Sequence, residues 1–289
     1  MTDGQPKKRA REAADDRRVR LLVSDLDGTL LDDGRATPGL AVLRRVVAAF
    51  GDRVRLVYAT GRTAASTLAL VEDGILARPD AIAPLVGSEV WLPPFAGPDS
   101  GFARRLADGW SRPDVVAVGE RFSWALAPQP PEHAGEFKVS YFVRDDTALP
   151  ALDEALARRG VRARLIYSGG RFLDVLPRRA GKRGATEYLA ERFGVAPADV
   201  LAAGDSGNDA DVLAHPEYCG VAVGNAEPEL TAVTGSLPAV HEAGLSFAAG
   251  VLEGAAAHRF WGKRDERFAP QGGAAERERG ATRSPPRSS

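Results

Sequence analysis

Residues Val19 to Leu30 read Val-Arg-Leu-Leu-Val-Ser-Asp-Leu-Asp-Gly-Thr-Leu, and the rest of the chain is organised around them. Val19 to Ser24 is a short apolar run without Gly or Pro, the pattern of a strand buried on both faces in a parallel sheet. Its carboxyl end delivers Asp25 and Asp27, then Gly28, which lets the chain turn away sharply. Ligands in open α/β sheets bind beyond the carboxyl ends of the strands, so two carboxylates there are placed for chemistry. Such close like charges repel unless one is protonated or a cation sits between them. A hard divalent ion with oxygen ligands answers this, and Mg²⁺ is the expected one. Read alone, Asp-Leu-Asp-Gly is also an ordinary solvated turn, so the remaining segments decide.

Outward from this stretch, strands and helices alternate. Thr37-Pro38 predicts a helix start, with Thr37 as N-cap, and apolar residues recur at helical spacing from Leu40 to Phe50. Val54 to Ala59 is a second buried strand, ending in Thr60-Gly61-Arg62 before a helix from about Thr63 to Glu72, and Ala81 to Gly87 reads as a third strand. From Leu92 the rhythm changes to a Pro- and Gly-rich stretch. Alternating strands follow over Phe137 to Val143, Arg162 to Ser168 and Arg171 to Leu176, the last two joined by Gly169-Gly170, with a helix over Leu149 to Arg159. The first rhythm returns with a helix from Lys182 to Phe193. Strands follow over Val200 to Ala203 and Gly220 to Val223, separated by a short helix to about Ala214, and a closing helix runs from Ser246 to Phe260. The expected fold is therefore α/β: a doubly wound parallel-sheet core over 19–92 and 178–260, with an α+β cap over 93–177 inserted into it. Residues 1–18 and 261–289, charged or rich in Gly, Ser and Pro without periodicity, read as tails.

Composition narrows the class. Apolar residues make up 44% and charged residues 27%, the balance of a globular protein with a sizeable core. Net charge is −1, so nothing global points to nucleic acid or a charged membrane as partner, and a monomer is expected. The one cysteine, Cys219, excludes an intrachain disulfide. With no apolar leader or membrane-spanning run, a cytoplasmic location is expected. Five of the 38 basic residues are lysine, namely Lys7, Lys8, Lys138, Lys182 and Lys263, so Lys138 and Lys182 stand out in a chain whose surface cations are arginine. A compact ammonium serves phosphate differently from a planar guanidinium.

Four segments fall at strand ends or helix starts: Asp25-Leu26-Asp27-Gly28-Thr29, Thr60-Gly61-Arg62, Gly181-Lys182, and Gly204-Asp205-Ser206-Gly207-Asn208-Asp209. In order and spacing they resemble the four signature motifs of the haloacid dehalogenase-like phosphohydrolase superfamily, over about Val19 to Phe260, with the cap between the second and third motifs. Phosphate monoesters repel anions and hydrolyse slowly, so a catalyst must neutralise charge and position a nucleophile. The resemblance implies Asp25 as nucleophile and Asp27 as the acid and base that serves the leaving oxygen and then water. Thr60 would meet a phosphate oxygen with its hydroxyl and its N–H, and Lys182 would neutralise the nucleophile and the phosphate. The implied metal set is Asp25, Asp27 (through its carbonyl) and Asp205, with Asn208 or Asp209 holding that shell. An ordinary helix cap for Thr60-Gly61 and a solvated surface position for Lys182 are the alternatives.

A finer resemblance is to sucrose-phosphate phosphatases and related phosphatases of phosphorylated disaccharides. It rests on Val57 to Arg62, Gly87-Ser88-Glu89-Val90-Trp91, Lys138 to Phe142, Ser168-Gly169-Gly170, Leu173 to Pro177, Val223 to Glu227 and His241-Glu242-Ala243. It implies that Lys138 and Asp174 in the cap hold sugar hydroxyls, with Glu89, Gly61 and Arg62 at the core rim, Asn208 beside the substrate, and the Ser168 to Gly170 turn facing the site. Exposed strand residues are the alternative for Lys138 and Asp174. The expected function is Mg²⁺-dependent hydrolysis of a small-molecule sugar phosphate, sucrose 6-phosphate first. Phosphorylated mannosylfructose, glucosylglycerol or glucosylglycerate, a phosphomutase on the same fold, and an idle phospho-sugar binder are the alternatives.

Overall fold

In a computed structural model, residues 18–262 are described. β1 (Arg20–Ser24) is buried throughout and lies between β4 (Val54–Ala59) and β10 (Val200–Gly204), parallel to both. The full sheet runs β12 (Val240–Glu242), β11 (Cys219–Ala222), β10, β1, β4, β5 (Ala81–Ala83), all parallel. Strand order thus grows in opposite directions from β1, the doubly wound pattern, and the crevice for ligands opens at the carboxyl ends of β1, β4 and β10.

Period-2 alternation splits the core in two. Leu21, Val23, Val57, Ala59 and Ala202 face one side with α6 (Lys182–Phe193), where Ala185 and Leu189 pack. Leu22, Leu56, Tyr58 and Leu201 face the other, against α1 (Leu40–Phe50) and α9 (Phe247–Ala257). Each such leucine, fully removed from water, contributes roughly 1.5–3 kcal/mol.

The second sheet is antiparallel, in the order β6 (Leu126–Pro128), β7 (Val139–Val143), β9 (Phe172–Pro177), β8 (Ala163–Ser168). It packs on α4 (Arg112–Glu120) and α5 (Leu149–Arg158) around Val115, Leu152, Leu156 and Leu173. All of it comes from the stretch between β5 and α6, where the sequence changes rhythm.

Several sequence expectations shift. Thr37 does not cap α1: the cap position is Gly39, while the Thr37 hydroxyl donates to the Leu30 carbonyl at 2.6 Å and ties down the small β2–β3 hairpin (Leu31–Asp32, Arg35–Ala36). The third strand stops at Ala83, and Leu85–Gly87 forms a 3₁₀ turn instead. The stretch 100–128, within the Pro- and Gly-rich change of rhythm, holds α3 (Ser100–Leu106), α4 and β6. Short elements without strong periodicity were missed, namely α8 (Pro228–Thr234) and edge strand β12. Trp261, assigned to a tail by composition, is only 2% exposed and packs its ring 5.3 Å from that of Phe50. The rest of the two assigned tails, 1–17 and 263–289, lies outside the described residues, with Lys7, Lys8 and Lys263.

Candidate active site

The end of β1 supplies the centre of the site. Asp25 follows the last buried residue of the strand, and its N–H donates to the Ala203 carbonyl of β10 at 3.0 Å, fixing its backbone between two strand ends. Gly28, two residues on from Leu26, adopts φ 81°, and a Cβ there would sit 2.1 Å from an Asp205 carboxylate oxygen. A side chain at 28 is therefore excluded both by backbone conformation and by the close approach of Asp205.

Asp205 leaves the end of β10, and Asp209 returns to it from the 3₁₀ turn that leads into α7 (Ala210–Leu213). One carboxylate oxygen of each of Asp25, Asp205 and Asp209 lies within 4.8 Å of the others, and all three residues are buried. Lys182, the first residue of α6, reaches this group: its Nζ is 2.9 Å from Asp25 Oδ1 and 2.7 Å from Asp209 Oδ1, with its side chain 1% exposed. Gly87 lets α6 dock there. Gly181 N–H donates to the Gly87 carbonyl at 3.1 Å, and a Cβ on Gly87 would meet the Gly181 backbone at 2.5 Å.

Other atoms brace the carboxylates. Asp209 Oδ2 accepts from the N–H groups of Asp205 and Ser206, each at 3.2 Å. Thr29 Oγ1 donates to Asp205 Oδ1 at 2.8 Å. Asn225 donates through Nδ2 to the Gly28 carbonyl at 2.7 Å and accepts the Phe247 N–H at 2.8 Å, tying the turn after β1 to the start of α9. Sequence reasoning gave Thr29 and Asn225 no role, although both stand in the quoted motifs.

The electrostatics follow from this crowding. Burial pushes the Asp25 carboxyl well above its ordinary range, against the pull of Lys182, with Asp209 and Asp205 adding to the rise. Asp205 is pushed up to about 6, by burial first and Asp209 second. Burial disfavours the Lys182 ammonium, yet Asp209 and Asp25 outweigh it and raise its pKa overall. Three carboxylates share one ammonium, leaving negative charge that a cation would neutralise. The donor set is all oxygen, which suits a hard divalent ion, and Asn208 Oδ1 adds a buried acceptor without a hydrogen-bond partner among the described residues.

Other expected residues lie differently. The Asp27 carboxylate stands outside the three-carboxylate group and takes two bonds from Arg62, Nε to Oδ2 and Nη2 to Oδ1, each at 2.6 Å. Arg62 is thus committed to Asp27 and, through Nη1, to Ser66 at 3.2 Å. Thr60 is fully buried at the end of β4. Its N–H, expected to meet a phosphate oxygen, is spent on the Ala83 carbonyl at 3.0 Å, and no helix begins there: Thr63 is the N-cap of α2 (Ala64–Glu72). The Thr60 hydroxyl accepts from Arg62 N–H at 3.1 Å and keeps its own proton to give, and Gly61 follows at the turn.

In the second sheet, Lys138 and Asp174 are not the exposed strand residues of the alternative reading. Lys138 is 3% exposed and its Nζ lies 3.1 Å from Asp174 Oδ1, which also accepts the Ser140 hydroxyl at 2.7 Å. Glu89 accepts from the Trp91 indole at 2.7 Å. Gly169, in the turn between β8 and β9, donates its N–H to Glu229 of α8 at 3.3 Å, so the antiparallel sheet touches the core through this turn.

The chain matches the family model described as sucrose-6F-phosphate phosphohydrolase over residues 18–259. It is 35% identical over 219 residues to sucrose-phosphatase 2 of Nicotiana tabacum, covering 73% of this chain and 51% of that protein, so it spans about half the length of its plant relatives. It is 31% identical to the mannosylfructose-phosphate phosphatase of Agrobacterium fabrum, covering 84% of this chain and 97% of that one. Among solved structures, the sucrose-phosphatase of Synechocystis in complex with sucrose and phosphate superimposes with a TM-score of 0.73 at 34% identity, covering 83% and 98% of the two chains. With a buried aspartate–lysine cluster at the switch point of a doubly wound sheet and a family match across nearly all described residues, the chain belongs to the sucrose-6F-phosphate phosphohydrolase family of the haloacid dehalogenase-like superfamily.

Proposed function

We propose that this protein is a Mg²⁺-dependent phosphatase that hydrolyses sucrose 6-phosphate to sucrose and phosphate through an aspartyl phosphate on Asp25. The observation that carries the reading is Lys182, fully buried and 2.9 Å from Asp25 within the three-carboxylate group. Asp25 Oδ attacks phosphorus, and the bond to the sugar oxygen breaks as Asp27 gives that oxygen a proton. Asp27 then takes a proton from water, whose oxygen attacks the acyl phosphate and frees Asp25 and inorganic phosphate. Lys182 offsets the charge of nucleophile and phosphoryl oxygens, and the Thr60 hydroxyl donates to one of those oxygens. Asp25, Asp205 and Asp209, with the Asp27 carbonyl, would hold Mg²⁺, which supplies charge neutralisation at the phosphoryl group. Arg62 orients Asp27 and moves to the substrate as Asp27 is freed. Asn208 and Gly61 line the phosphate side, and Lys138, Asp174 and Glu89 receive sugar hydroxyls from residues 93–177 acting as cap and from the core rim. The enzyme acts as a cytoplasmic monomer on a small-molecule substrate.

The likeness to the mannosylfructose-phosphate phosphatase, over nearly its full length, supports a second reading in which that disaccharide phosphate is the substrate. Phosphate release from a panel containing both compounds, with Mg²⁺ and with EDTA, decides between them. Release fastest from sucrose 6-phosphate and abolished by EDTA is expected; faster release from mannosylfructose phosphate favours the second reading, and none from any member overturns both.

A further inference from the structure

A cleft of about 610 Å³ opens beside α6, lined by five arginines from three parts of the chain and by none of Asp25, Lys182, Asp205 and Asp209. Arg105 comes from α3 and Arg164 from β8. Arg178 and Arg179 sit on the segment leading from β9 into α6, and Arg183 in the first turn of α6. Three of the five already have acidic partners: Arg105 with Glu191, Arg183 with Glu187 at 2.8 Å, and Arg164 with Asp211 at 2.8 Å. Arg178 and Arg179 are exposed and pair with no carboxylate among the described residues, so the cleft keeps two uncompensated positive charges. The backbone beneath them is fixed, because Arg178 N–H donates to the Arg162 carbonyl at 2.8 Å.

We infer that this cleft is a second anion site, separate from the nucleophile pocket, that takes a phosphate group as free phosphate or as a phosphorylated sugar. Two free guanidinium groups on adjacent residues match the charge of a phosphate dianion and offer the planar double donors that bind its oxygens. The volume falls in the range of about 300–1,000 Å³ that holds small ligands. Its lining also joins the two sheets: Arg164 of β8 donates to the Ala180 carbonyl at 3.1 Å, just before the Gly181-Lys182 step. An occupant held by Arg178 and Arg179 therefore sits on the strap between β9 and α6.

Equilibrium dialysis of the full chain with radiolabelled inorganic phosphate tests this, using wild type and Arg178→Gln/Arg179→Gln, in Mg²⁺ and in EDTA. In EDTA the nucleophile pocket, with its excess carboxylates, binds phosphate poorly, so wild type is expected to retain one bound phosphate per chain and to gain a second with Mg²⁺. The double variant is expected to weaken the EDTA-resistant site at least tenfold, while turnover of a sugar phosphate stays within twofold of wild type. Displacement of that phosphate by glucose 6-phosphate at lower concentration than by unlabelled phosphate assigns the site to a phosphorylated sugar; the reverse order assigns it to the free ion. The arginines are exposed and unpaired, so their loss orphans no buried partner; the single variants, each expected to weaken the site, guard against a folding defect. Binding wholly abolished by EDTA, or unchanged in the variants, overturns the inference, whatever the outcome for catalysis.

Discussion

Lys182, at the start of α6 against the parallel sheet, and Lys138, just before β7 of the antiparallel sheet, are both buried and both bound to aspartate, yet their charge balance differs. Lys138 faces one carboxylate, Asp174, which the Ser140 hydroxyl also satisfies. Lys182 pairs with two of the three clustered carboxylates, and the third, Asp205, accepts from the Thr29 hydroxyl and has no ammonium of its own among the described residues. Burying charge costs more than pairing returns unless the balance is complete. The Lys138 pair is complete in itself and can orient a neutral sugar; the Lys182 group is complete only with a cation and an anionic substrate. On the function proposed above, the difference assigns phosphoryl chemistry to the Lys182 group and sugar recognition to the Lys138 pair.

The largest effect should come from Lys182→Met. It leaves three buried carboxylates without their ammonium, so phosphate release should fall about 10³-fold and urea unfolding should lose about 3–5 kcal/mol. Full stability with lost activity would make the lysine purely catalytic. Asp27→Asn should lower kcat by about 10²-fold or more, with substrate Kd measured by calorimetry nearly unchanged, because its carboxylate stands apart from the metal group. Equal loss of binding and turnover would instead place Asp27 in the construction of the site. Lys138→Met should raise KM about tenfold, the value of one well-placed hydrogen bond to a substrate, and leave kcat for a non-sugar phosphate monoester untouched. A matching fall with that simpler substrate would erase the distinction between the two lysines.

The smallest effect concerns pH. Because the folded Asp205 carboxyl is raised to about 6, the folded chain binds more protons than the unfolded chain between an ordinary carboxylate value near 4 and that value. Stability of EDTA-treated protein should therefore be greatest at the acid end of this window and fall as pH rises through 6. Thermal melts across pH 4 to 7 check this. Excess Mg²⁺, which favours the ionised carboxylates, should flatten the slope, and Asp205→Asn should reduce it.

The central parallel strands β1 and β10 were legible because each is a short apolar run that delivers Asp at its end, and Lys182–Phe193 because Gly181 and Gly194 bracket it. The site was legible as motifs at strand ends. Its pairings were not: Asp27 with Arg62, Thr29 with Asp205 and Asn225 with Gly28 join residues 35, 176 and 197 apart in sequence, which no local pattern encodes. The bond from the Thr60 N–H is hidden from local sequence for the same reason, since its acceptor, Ala83, arrives from a neighbouring strand. Edge strand β12 has three residues, too few for period 2 to register.

Acid quenching during turnover of phosphate-labelled sucrose 6-phosphate, followed by peptide mapping, tests the central claim most directly. A labelled acyl phosphate on the peptide containing Asp25, absent in Asp25→Asn, is the predicted result. Label on another residue, or turnover with no protein-bound label and an undiminished rate in Asp25→Asn, would contradict it.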